Sequence, residues 1–277
     1  MTTDEALRTA PIIPACLTLF TGLILLLCKD SPKGNYKELK DKGVMIEVSV
    51  FASLRDGLLD FNTYILFIQY ACCFGAEVTM LNAAVLHLRE EFMLTTDSAS
   101  AIATFSGWRP LFQFVARTIG GCASDKLNMK KGMKGRLIWQ MTCLFITGVT
   151  VLIFRITNSL GVVMIILYIF YFFAQAAQGS TYAIVPYIQS SAVGTVAGVV
   201  GAGGYAGTIA FGMTFSFREL PSMAGAFNIM SALTIISAAL TFLVYVKDHR
   251  RIVGGTDSDA VKGAWQREST AIIKLAY

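Results

Sequence analysis

The stretch LGVVMIILYIFYFFAQAAQGSTYAIV, residues 160–185, runs 26 positions without an Asp, Glu, Lys or Arg. About 20 apolar residues cross the hydrocarbon core of a bilayer as a helix, so this stretch reads as a membrane span. It is not alone. Residues 10–28, 137–154, 192–215 and 221–246 are equally free of charge, residues 61–86 carry only Glu77, and residues 99–122 carry only Arg109 and Arg117. The fold class expected is an all-α membrane protein with seven transmembrane helices. Composition agrees: 55% of the 277 residues are hydrophobic and 15% charged, against about 25% charged in soluble domains. Mean hydropathy is +0.59. A water-soluble enzyme and a disordered chain are both excluded by that balance.

Basic residues in the connecting segments set the orientation of such a chain. With the segment after the first span placed inside the cell, seventeen Lys and Arg fall inside and four (Arg8, Arg89, Arg155, Arg218) outside. The N terminus is then outside and the C terminus cytoplasmic. Four parts follow: residues 1–28 as leader and first span, 29–57 as a basic cytoplasmic linker, 58–246 as a six-helix unit, and 247–277 as a polar cytoplasmic tail. The leader holds Asp4 and Glu5 beside Arg8, which is not the basic start of a cleaved signal peptide. The lipid bilayer is the partner these charges point to, and nucleic acid is not.

Ionisable groups inside spans are costly and mark function by default. Arg117 lies eight residues before Asp125, about 12 Å of helix from the cytoplasmic edge. That is long for snorkelling, so an anion or carboxylate partner is expected. Arg109 precedes Pro110, where a kink is expected. Eight residues rotate a helix about 80° away from alignment, so Arg109 and Arg117 share no face strictly. Glu77 shares a helical stripe with Tyr70, Phe74 and Leu81. It is the coupling candidate, either a proton carrier or a counter-charge to Arg109 or Arg117.

Residues 194–212 read GTVAGVVGAGGYAGTIAFG. Glycines one turn apart let another helix approach closely, and so dense a run also bares amides that could face a small anion. The dinucleotide-like GAGGYA within it has no strand before it and is set aside. The six cysteines (16, 28, 72, 73, 122, 143) form no CxxC and read as small apolar fillers. His87 and His249 fall outside the spans, where a solvated loop is the expectation for His87 with Glu90 and Glu91. No Ser-His-Asp, HExxH or P-loop pattern is present, so no enzyme chemistry, metal or cofactor is expected.

Four segments together resemble the nitrate/nitrite porter family of the major facilitator superfamily, in its eukaryotic high-affinity nitrate transporter type. They are YACCFGAEVTMLN (residues 70–82), ARTIGGCASD with GMKGR (116–125 and 132–136), AQAAQGSTYAIVPYI (174–188) and AGVVGAGGYAG (197–207). They look like parts of the family's seventh, eighth, tenth and eleventh helices. The resemblance implies a partial chain, the sixth helix plus the C-terminal half of a twelve-helix carrier. It implies nitrate or nitrite transport by alternating access, coupled to protons, in the plasma membrane, with the missing N-terminal half as a partner. Carried across, Arg117 holds the anion, Tyr70 and Phe74 line its site, and Gly203, Gly204 and Gly207 pack against it. Asp125, Lys126, Gly135 and Arg136 match the cytoplasmic gating loop. The chain departs from the family's usual pattern at Tyr205 (usually Asn), Gln178 (usually Glu), Ser190–Ser191 (usually basic) and Arg109-Pro110. These departures bear on selectivity and proton coupling. A carrier for another small or organic anion, or a non-transporting pseudo-transporter, is the alternative.

Overall fold

A computed structural model describes residues 9, 11–28, 49–104, 108–216, 222–246 and 252. The chain divides into two compact units, Met1–Ser49 and Val50–Tyr277. The first contains α1, Ile12–Leu27, sixteen residues that are apolar all round. The predicted linker 29–57 lies outside the described residues up to 48, and its end is already helical. The predicted tail lies outside them except for Ile252.

The second unit runs α2 (Val50–Leu59), α3 (Phe61–Phe92), α4 (Thr96–Ala103), α5 (Arg109–Lys131), α6 (Met133–Ile156), α7 (Leu160–Ile188), α8 (Val193–Ser216) and α9 (Ser222–Ala239). A 3₁₀ turn, Leu240–Leu243, follows α9. No strand occurs among the described residues. Among the described residues, five helices are long and apolar enough to cross a membrane: α3, α6, α7, α8 and the segment Met223–Leu243. This makes the chain a multi-pass membrane protein.

Two expectations are corrected. Residues 99–122 are not one helix with a kink, because α4 ends at Ala103 and a new helix starts at Arg109. Pro110 sits in the first turn of α5, where its missing N–H costs nothing and its fixed φ favours initiation. α5 also carries Asp125, Lys126, Lys130 and Lys131, so its composition falls short of the five apolar spans. His87 is not in a solvated loop. α3 continues past the apolar stretch to Phe92, and His87 is buried between the rings of Phe154 and Phe227, at 4.9 and 5.6 Å.

Local signals set the helix ends. The Asp60 carboxylate accepts from the Asn62 backbone N–H at 2.7 Å and starts α3, as an N-cap does. Gly132, with φ 74°, is the whole connection between α5 and α6. That backbone region is open to glycine and costly for other residues.

Two crossings matter for the site. α3 packs along α8 because Gly75, Gly203 and Gly207 present no side chain. A Cβ on Gly203 would lie 2.5 Å from the Phe67 carbonyl oxygen, and one on Gly207 would collide with Ala71. α5 crosses α7 at Gly120 against Ala176 and at Gly179 against the Arg117 carbonyl. Both crossings follow the small-residue rule for helices in lipid. Apolar clusters fill the unit on either side of mid-length. One centres on Met80, Leu88, Phe154, Leu167 and Phe170, the other on Leu66, Cys73, Leu137, Leu144 and Ile184. The cysteines are free; Cys72, Cys73 and Cys143 are buried, as fillers are, whereas Cys16, Cys28 and Cys122 are exposed and fill no core.

Candidate functional site

The close α5–α7 crossing brings Arg117 against two glutamines one turn apart on α7. The Arg117 Nε donates to Gln175 Oε1 at 3.0 Å, and its Nη2 donates to Gln178 Oε1. Each amide then turns its nitrogen to Glu77 of α3: Gln175 Nε2 donates to Oε2 at 2.7 Å and Gln178 Nε2 to the same oxygen at 2.5 Å. The other carboxylate oxygen accepts from Arg109 Nη2 at 2.9 Å and from Gln113 Nε2. The Arg109 guanidinium also lies 4.9 Å over the Tyr171 ring.

Glu77 is 3% exposed and every partner it has is a donor. It is therefore a satisfied buried carboxylate, which its depth in the fold requires. Of the two arginines weighed as counter-charges, Arg109 makes the ion pair and Arg117 reaches Glu77 only through amides. Both arginines nevertheless line one cavity of about 400 Å³ with Phe74, Glu77, Gln113 and Gln175. Their rotation on α5 is bridged by the length of the side chains. Two guanidinium groups and one carboxylate leave the cluster a formal charge of +1.

The cluster sits halfway along α3 and α7. Beside it Tyr70 stacks on Phe74 with ring centres 5.6 Å apart, Tyr182 meets Tyr70 edge-on at 5.3 Å, and Tyr205 meets Phe74 at 5.6 Å. Gly204 makes this wall possible, since a Cβ there would lie 2.8 Å from both the Tyr70 and Phe74 rings. Gly203 and Gly207 face α3 backbone instead. Of the two readings of the glycine run, close packing holds at Gly203, Gly204 and Gly207, whereas Gly194, Gly198 and Gly212 have nothing within 4 Å of a built Cβ. Within the unit Arg117 is exposed and Glu77 is buried.

The four residues matched to a gating loop are helical. Asp125 and Lys126 stand near the end of α5, and Gly135 and Arg136 in the first turn of α6. Arg136 is buried, pairs with Asp125 at 2.7 Å and lies 5.1 Å over the Tyr187 ring. Gly135 abuts the Leu127 carbonyl. Lys126 is exposed. Among the described residues no group of three His, Cys, Asp or Glu could hold a metal; His249 lies outside them.

Gln113 and Gln175 are missing from the sequence reading, and Gln178 appears in it only as a departure. The available signal was two glutamines three apart in an otherwise apolar span.

The chain is thus a multi-pass helical membrane protein with a net positive cluster where α3, α5 and α7 meet. Comparison narrows this further. The chain is 30% identical to nitrate transporter 2.1 of Chlamydomonas reinhardtii over 96% of its own length and 50% of the relative's. It is 30% identical to high affinity nitrate transporter 2.5 of Arabidopsis thaliana, over 87% of its length and 47% of the relative's. It is 31% identical to the nitrate/nitrite transporter NrtP of Nostoc punctiforme, over 61% and 32%. No protein-family model matches the chain. The chain belongs to the nitrate/nitrite porter family. It spans about half the length of the relatives it matches.

Proposed function

We propose that the chain supplies one half of a nitrate or nitrite transporter, with Arg117 as the anion-holding residue. The observation that carries this is the cluster of Arg109, Arg117 and Glu77 with its surplus positive charge, beside an aromatic wall. A guanidinium offers a planar set of donors that fits a planar oxyanion. Only the Nε and Nη2 of Arg117 are taken by glutamines, so the Nη1 side remains for a ligand. Tyr70 and Phe74 would flank the anion, and Gly203, Gly204 and Gly207 would keep α8 close behind them.

The half is the C-terminal six helices of a twelve-helix major facilitator carrier, preceded by one further helix, seven spans in all. Alternating access then comes from rocking of two repeats about a midplane site. The basic segments support an outside N terminus and a cytoplasmic C terminus, in the plasma membrane. The Arg136–Asp125 pair at the α5–α6 junction is suited to a gating contact. Of the two roles weighed for Glu77, its four donors favour counter-charge over proton carrier.

The test is binding of labelled nitrate to the chain in lipid nanodiscs, competed by nitrite and by small carboxylates. Saturable binding displaced by nitrite supports the reading. Stronger displacement by carboxylates would replace it with an organic-anion carrier, and no saturable binding of either class would reject Arg117 as an anion seat.

A further inference from the structure

Three cavities follow one another along α3. Val78 lines the arginine cavity and also a groove of about 280 Å³ between α3 and α8. Leu86 is shared in the same way between that groove and a third hollow, which holds Arg89 and Glu90 near the end of α3. The middle groove belongs to no site described above.

Four polar side chains line it: Thr79 and Asn82 from α3, Thr208 and Ser216 from α8. Two have committed their protons. Thr208 donates to the Gly204 carbonyl and Ser216 to the Gly212 carbonyl, each at 3.0 Å. The other two have not. The Thr79 hydroxyl is buried without a hydrogen-bond partner, and among the described residues no hydrogen bond engages the Asn82 amide. The groove therefore offers two N–H donors from Asn82 and one O–H from Thr79. Polar groups left unpaired in an apolar span are costly, so a ligand that accepts from them is favoured.

Charge selects the kind of ligand. No carboxylate lines the groove. Asn82 stands five residues from Glu77, about 7.5 Å along the helix, where Arg109, Arg117 and Glu77 sum to a formal +1. On the other side Arg89 and Glu90 cancel. The field in the groove thus favours an anion over a cation. Its volume is several times the share of one water, about 30 Å³, so a partly hydrated ion fits.

We propose that this groove is a second, weaker station for a small oxyanion, with Asn82 and Thr79 as its donors, between the Arg89 end of α3 and the Arg117 cavity. This rests on the reading that the chain handles nitrate or nitrite, but not on Arg117 being the seat.

The experiment follows the side-chain ¹⁵N–¹H signals of Asn82 and Arg117 in the chain in lipid nanodiscs, as nitrate replaces chloride at constant ionic strength. Both sets should move. Asn82 should half-saturate at a nitrate concentration at least about tenfold higher than Arg117, because hydrogen bonds from neutral donors are weaker than those from a guanidinium. Thr79→Val removes one donor and should weaken the Asn82 response several-fold. Gly212 lines the groove with nothing within 4 Å of a built Cβ, so Gly212→Leu should fill the space and abolish that response. Both variants should leave the Arg117 response within about twofold, which also reports that they fold. If Gly212→Leu does not fold, Thr79→Val decides.

An Asn82 amide that stays still while Arg117 responds would overturn the proposal. So would Asn82 shifts that follow the Arg117 curve and vanish in Arg117→Lys, since they would be relayed from the first seat. An Asn82 response unchanged by Thr79→Val and by any Gly212→Leu that folds would overturn it as well. Movement of Asn82 with a silent Arg117 would support the station and reject the seat, and silence at both would reject both.

Discussion

Arg117 and Glu77 do not touch: Gln175 and Gln178 stand between them, each accepting from the arginine and donating to the carboxylate. The carboxylate's ion-pair partner is Arg109, from the first turn of the same helix as Arg117. One acid thus serves two cations unequally. It forms an ion pair with one and only orients the other.

Arg117→Lys tests the seat itself. Lysine keeps the charge but loses the planar donor set and the Nε that Gln175 holds. Nitrate binding to nanodisc-held chain should weaken at least about tenfold, since one or more charge-assisted hydrogen bonds are lost. Unchanged half-saturation would remove Arg117 from the site.

Glu77→Gln should act mainly on stability. It leaves the Arg109 guanidinium, 15% exposed, without its ion-pair partner in the interior. Breaking a buried pair from one side costs about 3–5 kcal/mol. Thermal unfolding in mild detergent should show a large fall in midpoint, and adding Arg109→Gln should recover part of it. If the single variant melts like the unsubstituted chain, the pair contributes nothing and the counter-charge reading fails.

Hydropathy made the long helices legible, because 20 uncharged residues have few fates other than a span. The same logic exposed Arg117 and Glu77, whose charges stand out against an apolar background. It could not show Gln113, Gln175 and Gln178, which carry no charge and acquire meaning only when α3, α5 and α7 converge. Nor could it place the break before Arg109. Pro110 inside an apolar run reads equally as a kink or a start, and only the first-turn geometry decides. His87 escaped for a related reason: α3 continues beyond its apolar stretch, supported by packing that one strand of sequence does not display.

The buried His87 ring has its Nε2 without a hydrogen-bond partner among the described residues. It touches Phe154 and Phe227. Replacing an unsatisfied polar group by an apolar one of similar shape is often neutral or stabilising. His87→Leu should leave the unfolding midpoint unchanged or raise it. A fall of several degrees would mean the imidazole holds a bond that these surroundings do not reveal.

Glycine in α8 offers a comparison within one helix. Gly207 lies where a Cβ would strike the Ala71 backbone of α3, and backbone cannot swing aside as a flexible side chain can. Gly212, five residues on, has nothing within 4 Å of a built Cβ. Overpacking a tight contact costs about 1–3 kcal/mol, whereas Ala in an open helical position gains slightly over Gly. Gly207→Ala should therefore lower the unfolding midpoint and Gly212→Ala should not. The first should also disturb the aromatic wall, since Tyr70 and Phe74 rest on Gly204 one turn away, and nitrate binding should weaken with it. Equal melting of the two variants would show that α3 and α8 separate without cost, and the close crossing would no longer explain the glycine run.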